Sequence, residues 1–152
     1  MKLKIEILPD KQSEEEIVIR CHALNERVLR AQSMLSAVFD KPEELALMRG
    51  NVECFVPLAD ILFFETQDGH VAAHTKDAMY DTPMTLTALA SRLPYNFIRI
   101  SKSGILNAKQ VSSVARNLTG ASEVTFKNTS KRTYISRAYY KAFKDRLTEI
   151  RL

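Results

Sequence analysis

From about residue 45 to residue 126, the apolar residues of this chain fall in short runs that alternate with turn-forming residues. Most runs are shorter than about eight residues, which suits strands better than helices. Gly50-Asn51 separates two such runs and predicts a hairpin with a tight turn, and Asp68-Gly69 ends a third run. The predicted strands cover 45–49, 52–55, 61–65, 70–74, 78–80, 97–100, 105–106, 111–114 and 123–126. The pattern therefore predicts a mainly β fold with short helices.

Three segments have helical spacing instead. The first covers 25–38, with Asn25 as its N-cap and an apolar residue at every third or fourth position. A short helix is predicted over 86–93, where Pro94 ends it. The last helix covers 137–150, and its predicted buried stripe consists of Tyr140, Phe143, Leu147 and Ile150.

Two further strands, over 2–8 and 17–21, are predicted before the first helix. We therefore expect a small β-β-α extension over residues 1–45, followed by the main β domain over 46–152. The first helix is expected to pack on its own two strands. A contact between two copies of the chain is the alternative, because the apolar stripe of this helix has heptad-like spacing.

The sequence gives little support to an enzyme or a membrane protein. It has four glycines, no phosphate-binding glycine motif and no arrangement typical of nucleophilic catalysis, so we expect neither an enzyme nor a cofactor. Its apolar runs are far below the roughly 18 residues of a membrane span, which favours a cytoplasmic protein without membrane insertion. His70 and His74 lie about 13 Å apart if both are on one strand, too far to share a metal ion.

The basic residues are concentrated at the C-terminal end. Residues 96–152 contain 12 Lys and Arg against 3 Asp and Glu, a difference of +9, whereas the whole chain carries +4. A surface this basic attracts polyanions and gains affinity by releasing counterions. Charge alone favours neither a nucleic-acid interface nor a solvated basic face.

Four segments appear in the order and spacing of a known family. They are PLADILFFE (57–65), TLTAL (85–89), FIRISKSGILN (97–107), and VTFKN (124–128) followed by ISR (135–137). The chain from about residue 52 to residue 147 thereby resembles the LytTR family of DNA-binding domains. The resemblance implies an elongated, mostly β domain of about ten short strands. It also implies binding of double-stranded DNA as a homodimer, by loops in the major groove rather than by a helix-turn-helix.

The resemblance has consequences for regulation. Many relatives carry a phosphoacceptor receiver domain, but the roughly 50 residues before the matched part are too few for one. The extension instead resembles that of stand-alone regulators. For those, the resemblance implies a small membrane protein as a partner.

The resemblance also implies which residues bind DNA. Lys102 occupies the position of a side chain that contacts a base edge, and lysine can donate to guanine O6 and N7. Ser101 and Ser103 are short donors for phosphate oxygens. Arg99 is equally suited to DNA contact and to structure, and Asn107 is a further candidate whose structural role we favour.

The remaining candidates lie in two other loops and at a helix start. Arg137 begins the last helix, where a phosphate would be stabilised. Lys131 and Arg132 are expected to hold phosphates. In the loop over 67–74, His70 is the nearest candidate, although Asp68 or Gly69 could take its place. We expect all the cations to share one surface with Lys102.

Two alternatives stay open at this point. One is an RNA-binding β module, which the basic C-terminal third would suit. Its aromatic residues, however, fall mainly on the helical stripe or in core-like positions, whereas single-stranded RNA needs exposed rings. The other is a module whose basic face binds an acidic protein.

Overall fold

The computed structural model describes residues 16–39 and 43–151. The chain divides into two compact units, residues 1–39 and residues 40–152. The strand predicted over 2–8 lies outside the described residues, and the domain boundary predicted after residue 45 stays a prediction.

The first unit contains one helix among its described residues, α1 (Glu26–Phe39). Asn25 caps it as predicted, because its Oδ1 accepts a hydrogen bond from the Val28 amide at 3.1 Å. The strand predicted over 17–21 is wrong, since residues 16–21 form neither helix nor strand. A run of β-branched residues becomes a strand only beside a pairing partner, and Ile17 and Val18 remain 58% and 59% exposed.

The second unit is built on a seven-stranded antiparallel sheet with the order β2-β1-β5-β4-β3-β7-β6. Its strands are β1 (Glu44–Arg49), β2 (Val52–Pro57), β3 (Ile61–Gln67), β4 (His70–Thr75), β5 (Met79–Thr82), β6 (Phe97–Ser101) and β7 (Gly104–Asn107). The helix α2 (Leu86–Arg92) precedes β6, and the Thr85 hydroxyl caps it by accepting from the Ala88 amide at 3.1 Å.

A second, three-stranded sheet has the order β10-β9-β8 and leads into the last helix. It consists of β8 (Val111–Ala115), β9 (Ser122–Phe126) and β10 (Arg132–Ile135), and α3 (Arg137–Arg151) follows. The strand β10 was not predicted, because Arg132 ends a predicted polar turn over 127–132 and residues 133–135 were assigned to no element. Thr133 and Ile135 are buried while Arg132 and Tyr134 are exposed, which is the alternation of a half-buried strand.

Two hydrophobic clusters lie on opposite faces of the large sheet. One joins Phe64 and Ile105 to Leu89 of α2. The other joins Phe63 and Leu106 to the small sheet and to α3, whose Phe143 and Leu147 are buried. Because β3 is covered on both faces, its sequence is a continuous apolar run rather than an alternating one. The mainly β class and the buried stripe of α3 are confirmed.

Two turns meet at one end of the large sheet. The β3–β4 turn consists of Asp68 and Gly69, both with positive φ (49° and 81°), as a two-residue hairpin requires. The β6–β7 turn lies beside it, since the Thr66 amide donates to the Ser103 carbonyl at 2.9 Å. We call this the turn end of the sheet.

Two further observations bear on function. Within 16–39 and 43–151, no helix is long and apolar enough to cross a membrane. In the same ranges, strands separate each helix from the next along the chain. The described part of the chain therefore contains no helix-turn-helix.

Candidate nucleic-acid interface

A groove of about 370 Å³ opens at the turn end of the sheet. Its walls are the β3–β4 turn, the β6–β7 turn and the segment 82–87 that leads into α2. Arg99, Lys102 and His70 all line it. The fold thus brings His70 beside Arg99 and Lys102, which follow it by 29 and 32 positions and belong to a different hairpin.

Lys102 is exposed at the tip of the β6–β7 turn. The half-buried Arg99 holds this turn from inside, because its Nε donates to the Ser101 carbonyl at 2.7 Å and its Nη2 to the Lys102 carbonyl at 2.6 Å. A guanidinium is a planar fork, so the two bonds fix the turn in one geometry. Arg99 therefore has a structural role, because two of its nitrogens support the turn that presents Lys102. Its contact with DNA stays a prediction.

The two serines of the turn differ in their surroundings. Ser101 Oγ accepts a hydrogen bond from the Ser103 amide at 3.1 Å, a side-chain contact that stabilises tight turns. Ser103 is exposed, and its hydroxyl lies 3.3 Å from that of Ser101. Ser103 is therefore the more accessible donor, and Ser101 mainly shapes the turn.

His70 begins β4 at the edge of the groove. Its side chain is 47% exposed, and its Nε2 lies 3.0 Å from Oδ1 of Asp81 on the neighbouring strand β5. A carboxylate at this distance favours a proton on Nε2 and fixes the direction of the ring. Of the alternatives in this loop, Asp68 and Gly69 form the turn itself, and His70 supplies the side chain that lines the groove.

Asn107 is removed from the candidate DNA contacts, because it is only 1% exposed. Its Nδ2 donates to the Ile61 carbonyl at 3.0 Å, and its Oδ1 accepts from Asn96 Nδ2 at 2.7 Å and from the Lys109 amide at 3.1 Å. A side chain that satisfies buried groups on three segments has a structural role, the role that the sequence analysis favoured.

Arg137 is exposed at the first position of α3. Ser136, just before it, donates its amide to the Ile100 carbonyl of β6 at 2.9 Å. Ile100 precedes the β6–β7 turn by one residue, so Arg137 lies at the turn end as well. It lies on the α3 face of the sheet, whereas the groove opens on the α2 face.

Lys131 and Arg132 do not join this group, so the expectation of a single cationic surface does not hold for them. Lys131 Nζ donates to the Ala78 carbonyl at 2.9 Å, just beyond the far end of β4. The five steps from His70 to Thr75 span about 17 Å. Burial lowers the pKa of Lys131, against the opposing charges of Asp77 and Glu65. Arg132 pairs with Glu123 at 3.1 Å.

His74 lies towards that far end and has a structural environment. Its ring stacks on Phe63 with the centroids 4.3 Å apart, and its Nε2 lies 2.8 Å from Glu65 Oε1. Burial lowers the pKa of His74, although Glu65 opposes the shift. His70 and His74 therefore have different carboxylate partners, and the described residues include no group of three acidic, His or Cys side chains that could hold a metal.

Sequence reasoning missed several residues around the groove. The hydroxyl-bearing residues Thr66, Thr85 and Thr87 line it, and they come from β3 and from the start of α2. Threonine is too common for a local pattern to single these out, and only the packing of α2 beside the two turns brings them together.

Known proteins resemble this chain both in sequence and in fold. The family model described as the LytTr DNA-binding domain matches residues 53–148. Two proteins named uncharacterized HTH-type transcriptional regulators, from Staphylococcus aureus strains MSSA476 and MRSA252, are 30% and 29% identical over 151 residues, which is 97% of this chain and 99% of each relative. A solved LytTr DNA-binding domain from Bacillus cereus superimposes with a TM-score of 0.65 at 19% identity, covering 70% of this chain and 97% of that one.

Proposed function

This chain belongs to the LytTR family of DNA-binding domains, and we propose that it is a sequence-specific transcription regulator that reads the major groove of duplex DNA with the turn end of its sheet. DNA binding and transcription regulation follow from the family and from the names of the relatives. This is not an enzyme class. The finer statement, that the two turns enter the groove, is the proposal.

The observation that carries the proposal is the Arg99 clamp under Lys102. Two hydrogen bonds of 2.7 and 2.6 Å hold the consecutive carbonyls of Ser101 and Lys102, so the exposed lysine starts from a fixed base. A preorganised donor loses less entropy on binding. A tight turn also fits within a major groove about 12 Å wide, where lysine can reach guanine O6 and N7.

The neighbouring residues supply the other contacts of the proposed interface. His70 offers a second polar side chain in the same groove, with Nε2 held by Asp81 and Nδ1 left to contact a base, and Ser103 offers a hydroxyl beside Lys102. Arg137 lies at the same end on the other face of the sheet and suits a phosphate. In this arrangement Lys102 and His70 contact bases, while Arg137 and Ser103 hold the backbone.

The RNA-binding alternative is less well supported by this geometry. Around β3, β6 and β7, both faces of the large sheet are buried. The aromatic side chains Phe63, Phe64 and Phe97 therefore form core contacts instead of an exposed stacking platform. Single-stranded RNA is usually bound on such a platform.

Several finer proposals rest on the family alone. We propose that the chain binds as a homodimer, that residues 46–152 are the DNA-binding module, and that a small membrane protein regulates it. A protein that acts on the bacterial chromosome works in the cytoplasm, which is where we place it. Sedimentation of the purified protein tests the homodimer.

The experiment begins with selection of genomic fragments that the protein retains, followed by sequencing. On the selected duplex, Lys102→Ala should weaken binding about 5- to 150-fold, which corresponds to about 1–3 kcal/mol, and should relax the preference at one base pair. Lys109→Ala is the matched control, because Lys109 is also exposed but lies beyond the opposite end of β7.

Two results would count against the proposal. Equal losses on selected and random duplex would mean that Lys102 contacts phosphate and reads no base. Tighter binding of single-stranded RNA than of any duplex by the unmodified protein would refute the DNA-binding role of the turn end and favour the RNA alternative.

A further inference from the structure

Three exposed cations lie along one flank of α3. Arg137, Lys141 and Lys144 are separated by four and three residues, and all are exposed. At 3.6 residues per turn they fall within an arc of about 60°, and they extend about 10 Å along the helix axis. The buried stripe of Phe143 and Leu147 faces the core about 110° away from the centre of this arc, so the cations lie on an exposed flank of the helix.

The two carboxylates of α3 lie outside the cationic arc. Asp145 and Glu149 are displaced from Arg137 by about 80° and 120° around the helix axis, outside the cationic arc. Glu149 accepts a hydrogen bond from the Tyr95 hydroxyl, beside the start of β6. The cationic arc therefore contains no carboxylate, whereas both carboxylates lie on an acidic flank beside it, where the half-buried Arg146 donates to the Phe97 carbonyl.

A fourth cation adjoins the basic flank from the small sheet. Arg116 follows β8, and its guanidinium lies 4.8 Å above the ring of Tyr140. Tyr140 is displaced about 60° from Arg137, on the side away from the acids. We call Arg116, Arg137, Lys141 and Lys144 the α3 basic flank. Among the ion pairs of the described residues, none involves a member of this flank.

We propose that the α3 basic flank is a second DNA contact, which follows the phosphate backbone away from the groove that Lys102 enters. The inference rests on the proposed function, since Arg137 belongs to both surfaces. Exposed cations without carboxylate partners bind phosphates by releasing counterions, without reading sequence. The acidic flank repels the same backbone, so it sets the side from which the duplex approaches α3.

A duplex fits this surface better than an acidic protein does. The cations form a continuous stripe that starts at the turn end and extends about 10 Å, which is close to three base-pair steps measured along the duplex axis. The members also contain no apolar anchor, although protein interfaces usually have one at their centre.

The test compares two double variants. Lys141→Ala/Lys144→Ala removes two cations of the flank. Arg92→Ala/Lys109→Ala removes two exposed cations elsewhere, from the end of α2 on the opposite face and from the segment after β7. Binding of selected and random duplexes is measured by fluorescence anisotropy from about 50 to 200 mM salt.

The expected result follows from counterion release. Two lost phosphate contacts reduce the steepness of log affinity against log salt concentration by about 1.8. The ratio of the affinity of the unmodified protein to that of the flank variant should therefore fall about twelve-fold between 50 and 200 mM salt. Selected and random duplexes should show the same change. The control variant should keep the original slope.

Duplex length gives a second measurement. Removing about three base pairs from the end of the selected duplex should lower the affinity of the unmodified protein towards that of the Lys141→Ala/Lys144→Ala variant. The variant itself should lose little on the shorter duplex, because its contacts to that segment are already absent.

The outcomes separate the two proposals. If the flank variant keeps its salt slope while the unmodified protein still prefers the selected duplex, the flank makes no backbone contact and only this inference fails. A change confined to the selected duplex would also overturn it, because that result indicates base contact. Failure of the unmodified protein to prefer any duplex would instead refute the proposed function.

Discussion

Replacing Asn107 by Ala should destabilise the protein without removing any DNA contact. Asn107 ends β7, and its amide makes three hydrogen bonds of good length, at 2.7, 3.0 and 3.1 Å, to Asn96, Ile61 and Lys109. A fourth contact, to the Leu58 carbonyl at 3.5 Å, is too long to count. The variant therefore loses the bonds that join the end of β7 to the starts of β3 and β6.

The magnitude follows from these three bonds. Each bond contributes about 0.5–1.5 kcal/mol net to the free energy of unfolding. Because water can partly reach the groups that lose their partner, the total loss should be about 2–4 kcal/mol. For a chain of this size that lowers Tm by roughly 6–12 °C. Since domains have about 5–15 kcal/mol of stability, most of the variant should remain folded at 25 °C.

Urea unfolding followed by circular dichroism measures the free energy, and a gel shift at 25 °C measures the affinity of the folded protein. Lys102→Ala is the converse variant, because it removes an exposed side chain and should change stability by less than about 0.5 kcal/mol. If Asn107→Ala loses less than about 1 kcal/mol of stability but abolishes DNA binding, the structural role argued from its burial is wrong.

Two further predictions concern other residues of the large sheet. Arg99→Lys keeps the charge but loses the fork that holds the carbonyls of Ser101 and Lys102. We expect about ten-fold weaker binding to the selected duplex at an unchanged salt slope, and unchanged affinity would show that Lys102 does not need the clamp. Burial lowers the pKa of His74, so the stability from the neutral ring is present above the ordinary value of about 6.5 and is lost as pH falls below it. Between about pH 7.5 and 5.5, urea titrations should show a smaller loss of stability for His74→Phe than for the unmodified protein, and parallel losses would contradict this.

Most secondary structure could be predicted because its causes are local. The apolar run Ile61–Phe64 and the Asp68-Gly69 pair define β3 and its turn, and the structure has both. The spacing of Tyr140, Phe143 and Leu147 predicts α3 and the side that it buries. In each case a few consecutive residues determine the backbone conformation.

The failures share a different cause, which is pairing at a distance. Residues 17–21 have the composition of a strand, but no described strand pairs with them. Conversely, β10 was overlooked because only its pairing with β9, such as Thr133 opposite Val124, distinguishes it from the turn before it. β-propensity measures how well a residue suits a neighbouring strand, so it cannot identify that neighbour.

The candidate site was predictable only through family resemblance. Lys102 and His70 belong to different hairpins, and the antiparallel pairing of β3 with β7 brings their turns together. Nothing local distinguishes Lys102 from Lys131, since both occupy polar turns. The contact of Lys131 with Ala78 spans 53 positions in the chain, so its engagement becomes visible only in the folded structure.

The charge of the C-terminal segment therefore overstates what is available to DNA. Of its 12 cations, six donate hydrogen bonds within the fold. They are Arg99, Lys127, Lys131, Arg132, Arg146 and Arg151. Four of the other six form the α3 basic flank, one is Lys102 in the β6–β7 turn, and the last is Lys109. Net charge predicts that a polyanion could bind, and in our proposals the phase of α3 and the Arg99 clamp decide where it binds.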